Sequence, residues 1–374
     1  MIGKIKSQVI RHLSNLPGWR TSRKIVVFES DDWGSIRMPS KKTFESLKSQ
    51  GVDLLSGDSK RYNLNDTLAS AGDLSALFET LQLVKDKTGR PAVFTPVSLV
   101  ANPDFEKIKA SGFKDYFFEP FTETLKRYGR EDAFNLWREG IQQRLFVPQF
   151  HGREHLNVQV WLRDLQKKEK TTLLAFEHGM WGFKNQHPKK ITYQAAFDLE
   201  FPEDYEYQKT VISEGLNLFG QLHGFQATFF VPPNGPFNSN LEETALEHGI
   251  RYISTSKIHN EPLGNGQFKK QYYWLGRKNT IGQVFLTRNA FFEPSQSGKD
   301  WVNHCLNEIS VAFQWKKPAI VSTHRVNYIG AINPANRDQG LNQLKKLLET
   351  ILKKWPDVEF MTSVELGDLI TKRN

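Results

Sequence analysis

Cysteine is nearly absent. The single Cys305 in 374 residues excludes an intramolecular disulfide framework and a cysteine-based zinc site, and it fits a reducing compartment. No apolar run approaches the length of a membrane span. The opening stretch, MIGKIKSQVIRHLSNLPGWR, is basic but has no uninterrupted apolar segment and no small-residue cleavage site, so no secretory signal is read and a cytoplasmic location is expected. Acidic residues are the minority, 41 against 50 Lys and Arg, giving a net charge of +9. A positive field of that size attracts anionic partners in general. The lysine groups at Lys167, Lys168 and Lys170, Lys189 and Lys190, and Lys345, Lys346, Lys353 and Lys354 read as solvated helix faces, and no nucleic-acid partner is expected. Internal repeats, low-complexity tracts and interdomain linkers are missing too.

Aromatic residues are plentiful, with 27 Phe and 9 Trp, enough for a core and for a ring-lined cleft of the kind that binds sugars. The chain is organised around Ile25 to Ser35, IVVFESDDWGS. Apolar residues Ile25 to Phe28 break into Glu29, Ser30, Asp31 and Asp32, the pattern of a buried strand delivering carboxylates at its carboxyl end. Open or closed parallel sheets keep their chemistry at that edge. Adjacent carboxylates repel, so a site holding both contains a cation or performs acid/base work, although an Asp-rich turn alone would also account for the pair.

Further strands are expected at 91–99, 145–150, 225–231, 250–255, 283–288, 318–323 and 357–360. Helices between them are read at 40–50, 73–87, 157–168, 205–222, 239–248, 299–315, 337–354 and 363–371, with one or two more over 122–144. Residues 53–71 lack periodicity and read as a long surface excursion, and 171–202 is hard to assign. Regular alternation predicts α/β architecture, a distorted (β/α) barrel of about seven parallel strands with helical insertions. Residues 24–374 form that barrel domain, preceded by an N-terminal basic helix or arm over 1–23. Lys4 to Leu16 has the pattern of a short amphipathic helix suited either to peripheral membrane contact or to capping the barrel.

His151 and His155 are four residues apart just past a strand, so on a helical turn both imidazoles would face one way and share a metal ion. Two imidazoles and one carboxylate make a three-ligand zinc site with a position left for water. The strand Ala319 to Thr323 ends in His324, whose side chain is suited to protonating a leaving group. Each of these features alone has an ordinary structural explanation. Three strand ends carrying Asp-Asp, His-x-x-x-His and His do not.

Together these residues resemble the polysaccharide deacetylases of the NodB-homology type, metal-dependent esterases or amidases on a distorted barrel, in the expected order from about Lys24 onward. Ser30-Asp31-Asp32 is similar to the first motif and implies Asp31 as general base and Asp32 as metal ligand. The second motif implies His151 and His155 as the other ligands of a divalent metal, in the first place Zn²⁺. Phe230 to Gly235 looks like the third motif, a groove wall, Asp300-Trp301 echoes the fourth, and His324 matches the fifth, implying the general acid. The resemblance implies removal of N- or O-linked acetyl groups from a sugar or polysaccharide, with Asp31 and His324 flanking the cation from opposite sides. Trp33, Pro233, Asn234, Arg288 and Arg325 are the candidates for substrate contact.

The chain departs from that pattern in several places. Trp33 follows the Asp pair where glycine is usual, Gly152 follows the first histidine where Ser or Thr is usual, and Val231 stands where an arginine would orient the base, leaving Arg288 or Arg325 to substitute. His151 to His155 also fits His-x-x-Glu-His, the inverted zinc-peptidase signature with Glu154 as base, which requires a continuous helix. A glycan-binding barrel without deacetylase activity is a further reading. So is a glycoside hydrolase using Glu29, Glu177 or Glu293.

Overall fold

The structure, a computed structural model, describes residues 9–57 and 59–372. Its centre is a sheet of nine parallel strands: β1 Ile25–Trp33, β2 Phe94–Leu99, β3 Gln149–Gly152, β4 Phe229–Phe230, β5 Tyr252–Ser254, β6 Val284–Leu286, β7 Ala290–Phe291, β8 Ala319–His324 and β9 Glu359–Met361. Eight of them follow the order β6-β5-β4-β3-β2-β1-β8-β7, and β9 pairs with the first part of β1. The two ends of this path, β6 and β7, are consecutive in the chain and joined only by Thr287, Arg288 and Asn289. The sheet is therefore curled into a distorted barrel, as expected, with nine strands in place of about seven.

Burial on both faces explains why the strands read as apolar runs. Ile25 and Val27 join Val97, Phe229, Tyr252, Leu286 and Ile320 from other strands in one cluster, which Leu366 and Ile370 of the C-terminal helix Ser363–Lys372 complete. The alternate residues Val26, Phe28 and Val321 pack instead with the helices Ala71–Gln82, Trp301–Gln314 and Pro334–Lys354. This is the period-2 alternation of a strand, with an inner and an outer core. Helix starts follow their caps: Ser40 Oγ accepts from the Thr43 amide at 3.0 Å, and Ser70 and Asp73 form a capping box.

Three segments differ from expectation. Residues 53–71 do not skirt the surface; they contain the helix Ser59–Asn65 and bury Leu54, Tyr62, Asp66 and Leu68. The polar stretch after β5 forms an antiparallel ribbon, Ile258–Gly264 with Gln267–Tyr272, whose largely exposed second strand has no apolar pattern to announce it. A second ribbon pairs Ala101–Pro103 with Phe118–Pro120.

Of the amphipathic segment Lys4 to Leu16, residues 4–8 lie outside the described residues. The described part packs on the barrel: Lys257 Nζ donates to Ser14 O at 2.7 Å, and Lys317 Nζ donates to the carbonyls of Pro17, Gly18 and Trp19. Among the described residues, no helix is long and apolar enough to cross a membrane.

Candidate metal centre and active site

Because all strands of the sheet are parallel, their carboxyl ends lie at one end of the barrel, and a cavity of about 800 Å³ opens there. Asp31, Asp32, His151, His155 and His324 all line it. In a regular strand Asp31 and Asp32 would point to opposite faces. Here the β1–β2 register shifts between Ser30 and Trp33, and Asp32 has φ +74°, so both carboxylates reach the cavity. A non-glycine residue held at positive φ is strained by about 1–3 kcal/mol, and such strain persists where the surroundings impose it. Gly34 completes the turn at φ +85°, where an added Cβ would sit 2.1 Å from Leu99 O.

Ligand atoms of Asp32, His151 and His155 lie within 4.8 Å of one another, all three residues being buried. His151 Nδ1 donates to Val231 O at 2.6 Å, a contact that fixes the ring and leaves Nε2 buried without a partner. Both His151 Nε2 and His155 Nε2 face Asp32 Oδ1, at 3.6 and 3.1 Å. Burial pushes His155 below its usual pKa and keeps it the neutral imidazole that ligation needs. The donor set, the orphaned nitrogen and the supporting carbonyl fit a divalent metal ion.

The two histidines do not lie on a helix. His151 lies one residue before the end of β3 and His155 follows in a loop; Gly152, the last residue of the strand, has φ +134°, a conformation in which a Ser or Thr side chain is strained. This accounts for the glycine at that position and removes the zinc-peptidase reading, as does Glu154, which is buried in an ion pair with Arg153 at 2.7 Å.

Arg288, from the β6–β7 junction, holds Asp31 through both terminal nitrogens, at 2.6 and 2.7 Å, and Glu29 through Nε at 2.6 Å. Burial alone would raise the Asp31 pKa, but the guanidinium outweighs it and holds the carboxyl below its ordinary value. Thus it is Arg288, and not Arg325, that pairs with Asp31.

Asp31 and His324 do not flank the triad from opposite sides. They are register partners on neighbouring strands, with His324 Nε2 3.8 Å from Asp31 Oδ2. His324 Nδ1 is hydrogen-bonded to Glu293 at 2.5 Å. Burial lowers the histidine's pKa, but Glu293, Asp31 and Asp32 more than reverse this and raise it to about 9. Glu293 was legible only as a stray carboxylate, and no local signal tied it to His324. Asp300 instead caps its own helix, accepting from the Asn303 amide.

Among the expected substrate contacts, Asn234 and Arg288 line the cavity. Trp33 does not: its ring packs edge-on to Phe146 at 4.7 Å and its Nε1 donates to Ser30 Oγ, inside the core. Arg325 is fully buried, bound to Asp66 at 2.9 Å. Pro233 is buried behind the cavity wall, whereas its neighbour Pro232 lines it. Glu29 is completely buried against Arg288, and Glu177 pairs with Lys109 at 2.6 Å, so neither stands free as a glycosidase carboxylate. Arg37, Arg61 and Tyr62 line the cavity without any motif to announce them.

Fold and side chains together define the class: a parallel α/β barrel with three residues able to hold a metal ion at the carboxyl ends of its strands. No protein-family model and no curated protein matches the chain. Solved structures similar to it include polysaccharide deacetylases. The probable polysaccharide deacetylase of Pseudomonas aeruginosa PAO1 is 9% identical over 93% of this chain and 91% of its own, with a TM-score of 0.49. Puue allantoinase is 12% identical, over 94% and 91%, with a TM-score of 0.47. A pseudoenzyme of the CE4 family from Bacillus anthracis is 9% identical, over 92% and 66%, with a TM-score of 0.36.

Proposed function

We propose that this protein is a metal-dependent deacetylase acting on an N- or O-acetylated sugar or polysaccharide. The observation that carries the reading is the meeting, on one cavity, of the Asp32-His151-His155 set with an arginine-held carboxylate and a carboxylate-held histidine. A divalent ion, zinc by preference for two imidazoles and a carboxylate, would supply Lewis acidity toward water and the acetyl carbonyl.

The chain's own residues do the rest. Asp31 is ionised and fixed in direction by Arg288, so it accepts the proton of the attacking water. His324 is held as the imidazolium, with Nδ1–H donated to Glu293, and its Nε2–H is the proton delivered to the departing amine or alcohol. Acid and base stand 3.8 Å apart in the structure, close enough for His324 to stabilise Asp31 before reaction.

The direct test is metal analysis of the purified protein, followed by acetate release from a panel of acetylated glycans. One bound divalent ion per chain and acetate release that a chelator abolishes are expected. Acetate release insensitive to chelation, or metal bound without any release across the panel, refutes the proposal.

A further inference from the structure

Among the described residues, five arginine and lysine side chains line the cavity: Arg11, Arg37, Arg61, Lys257 and Arg288. Four have partners. Arg11 meets Glu308 at 3.2 Å, Arg61 meets Glu293 at 2.6 Å, Lys257 donates to Ser14 O at 2.7 Å, and Arg288 holds Asp31 and Glu29. Arg37 is different. It is only 7% exposed, and its guanidinium has neither a hydrogen bond nor an ion pair to any described residue.

Its position is nevertheless built. The Arg37 Cζ lies 4.7 Å from the centre of the Tyr62 ring and 5.8 Å from that of Trp181, two aromatic faces that attract a cation without supplying a lone pair. Gly182 gives the side chain room, since a Cβ there would stand 3.2 Å from Arg37 Cδ and 3.3 Å from Nε. The same Trp181 stacks on His155 at 6.3 Å, and Arg37 and the triad line one cavity. Nε is buried without a partner, but the two terminal nitrogens are not among the buried unpaired atoms and so keep contact with the cavity.

Asp66 feels the charge of Arg37 but is bound to Arg325; a buried cation so incompletely answered is costly, and a planar fork with both terminal nitrogens free matches a carboxylate or phosphate in bidentate geometry. We infer that Arg37 is a specificity-determining residue that recognises an anionic group, a carboxylate or a phosphate, on the sugar whose acetyl group reaches the metal centre. This rests on the deacetylase reading for the word acetyl; the anion site itself rests only on Arg37 and its surroundings. An uncharged substrate would leave the guanidinium buried and unanswered.

The test is calorimetric titration of the full-length, zinc-loaded protein with three probes: N-acetylglucosamine, its 6-phosphate and its C6 uronate. At least one charged probe is expected to bind ten or more times tighter than the neutral parent, and the tighter of the two names the anion. Arg37→Met should erase that preference, and Arg37→Lys should restore part of it. Equal binding of charged and neutral probes by the native protein, binding of none of them at millimolar concentration, or a preference that survives Arg37→Met each overturns the inference. The native comparison stands even if a variant fails to fold. Charge preference without acetate release from any glycan refutes the deacetylase reading alone, and release without charge preference refutes this inference alone.

Discussion

Arg288 and Asp31 are joined by two parallel hydrogen bonds, Nη2 to Oδ1 at 2.6 Å and Nη1 to Oδ2 at 2.7 Å, across the junction where the two ends of the curled sheet meet. The short link that joins the two end strands of the sheet thus also orients the proposed base. Lysine has no planar fork to reproduce it. Arg288→Lys is expected to lower kcat for acetate release by about 100-fold, a loss in the range a mispositioned base produces, with metal content unchanged. Arg288→Met leaves Asp31 and Glu29 buried without their counter-charge and should cost roughly 3–5 kcal/mol in denaturant unfolding.

The three proposed ligands and the proposed base predict different phenotypes. Asp32→Ala, His151→Ala and His155→Ala should each lose the metal, because a three-ligand site has none to spare. Asp31→Asn should keep the metal and lose turnover. Elemental analysis beside acetate assays separates the two, and metal retained in all three ligand variants contradicts the assignment.

His324 carries a pH prediction. Its pKa is raised from 6.5 to about 9, so the imidazolium is present below that value and is lost as pH rises through it. The alkaline limb of kcat should therefore lie above the ordinary histidine value of 6.5. Glu293→Gln removes the main interaction that opposes burial, and the limb should move down by at least about one unit. An unmoved limb would mean that another group reports there.

Gly152→Ser restores the hydroxyl that the related pattern carries after its first histidine. At φ +134° the new side chain is strained, so a stability loss of about 1–3 kcal/mol is expected together with weaker metal retention. Equilibrium unfolding and metal titration measure the two effects.

His223 makes acid stability specific. Both ring nitrogens are buried without partners, the ring stacks on Trp137 at 5.6 Å, and burial lowers the pKa from 6.5 to about 3. The unfolded chain takes up a proton below pH 6.5 that the folded chain refuses until about 3, so stability present above 6.5 is lost as pH falls through that window. The slope should approach about 1.4 kcal/mol per pH unit, and His223→Phe should flatten it in urea unfolding followed from pH 7 to pH 5.

The strands that carry Asp31, Asp32, His151 and His324 were legible because parallel strands covered on both faces read as continuous apolar runs that end abruptly in polar residues. The helix announced by Ser40 was legible through its local N-cap. The ribbon at 258–272 was not, since an exposed antiparallel pair has no apolar periodicity. Residues 53–71 were misread as surface because their buried residues follow no regular period.

What the sequence determined by itself, then, was the alternation of strand and helix and the residue types placed at strand ends, since hydrophobic period and caps are local properties. Only the tertiary structure decided which arginine holds Asp31, that Glu293 holds His324, that Trp33 and Arg325 belong to the interior, and that Arg37 lines the triad's cavity without an ion pair to any described residue. Those relations join residues far apart in the chain, and they follow from where the curled sheet brings its strand ends together rather than from any spacing along the chain.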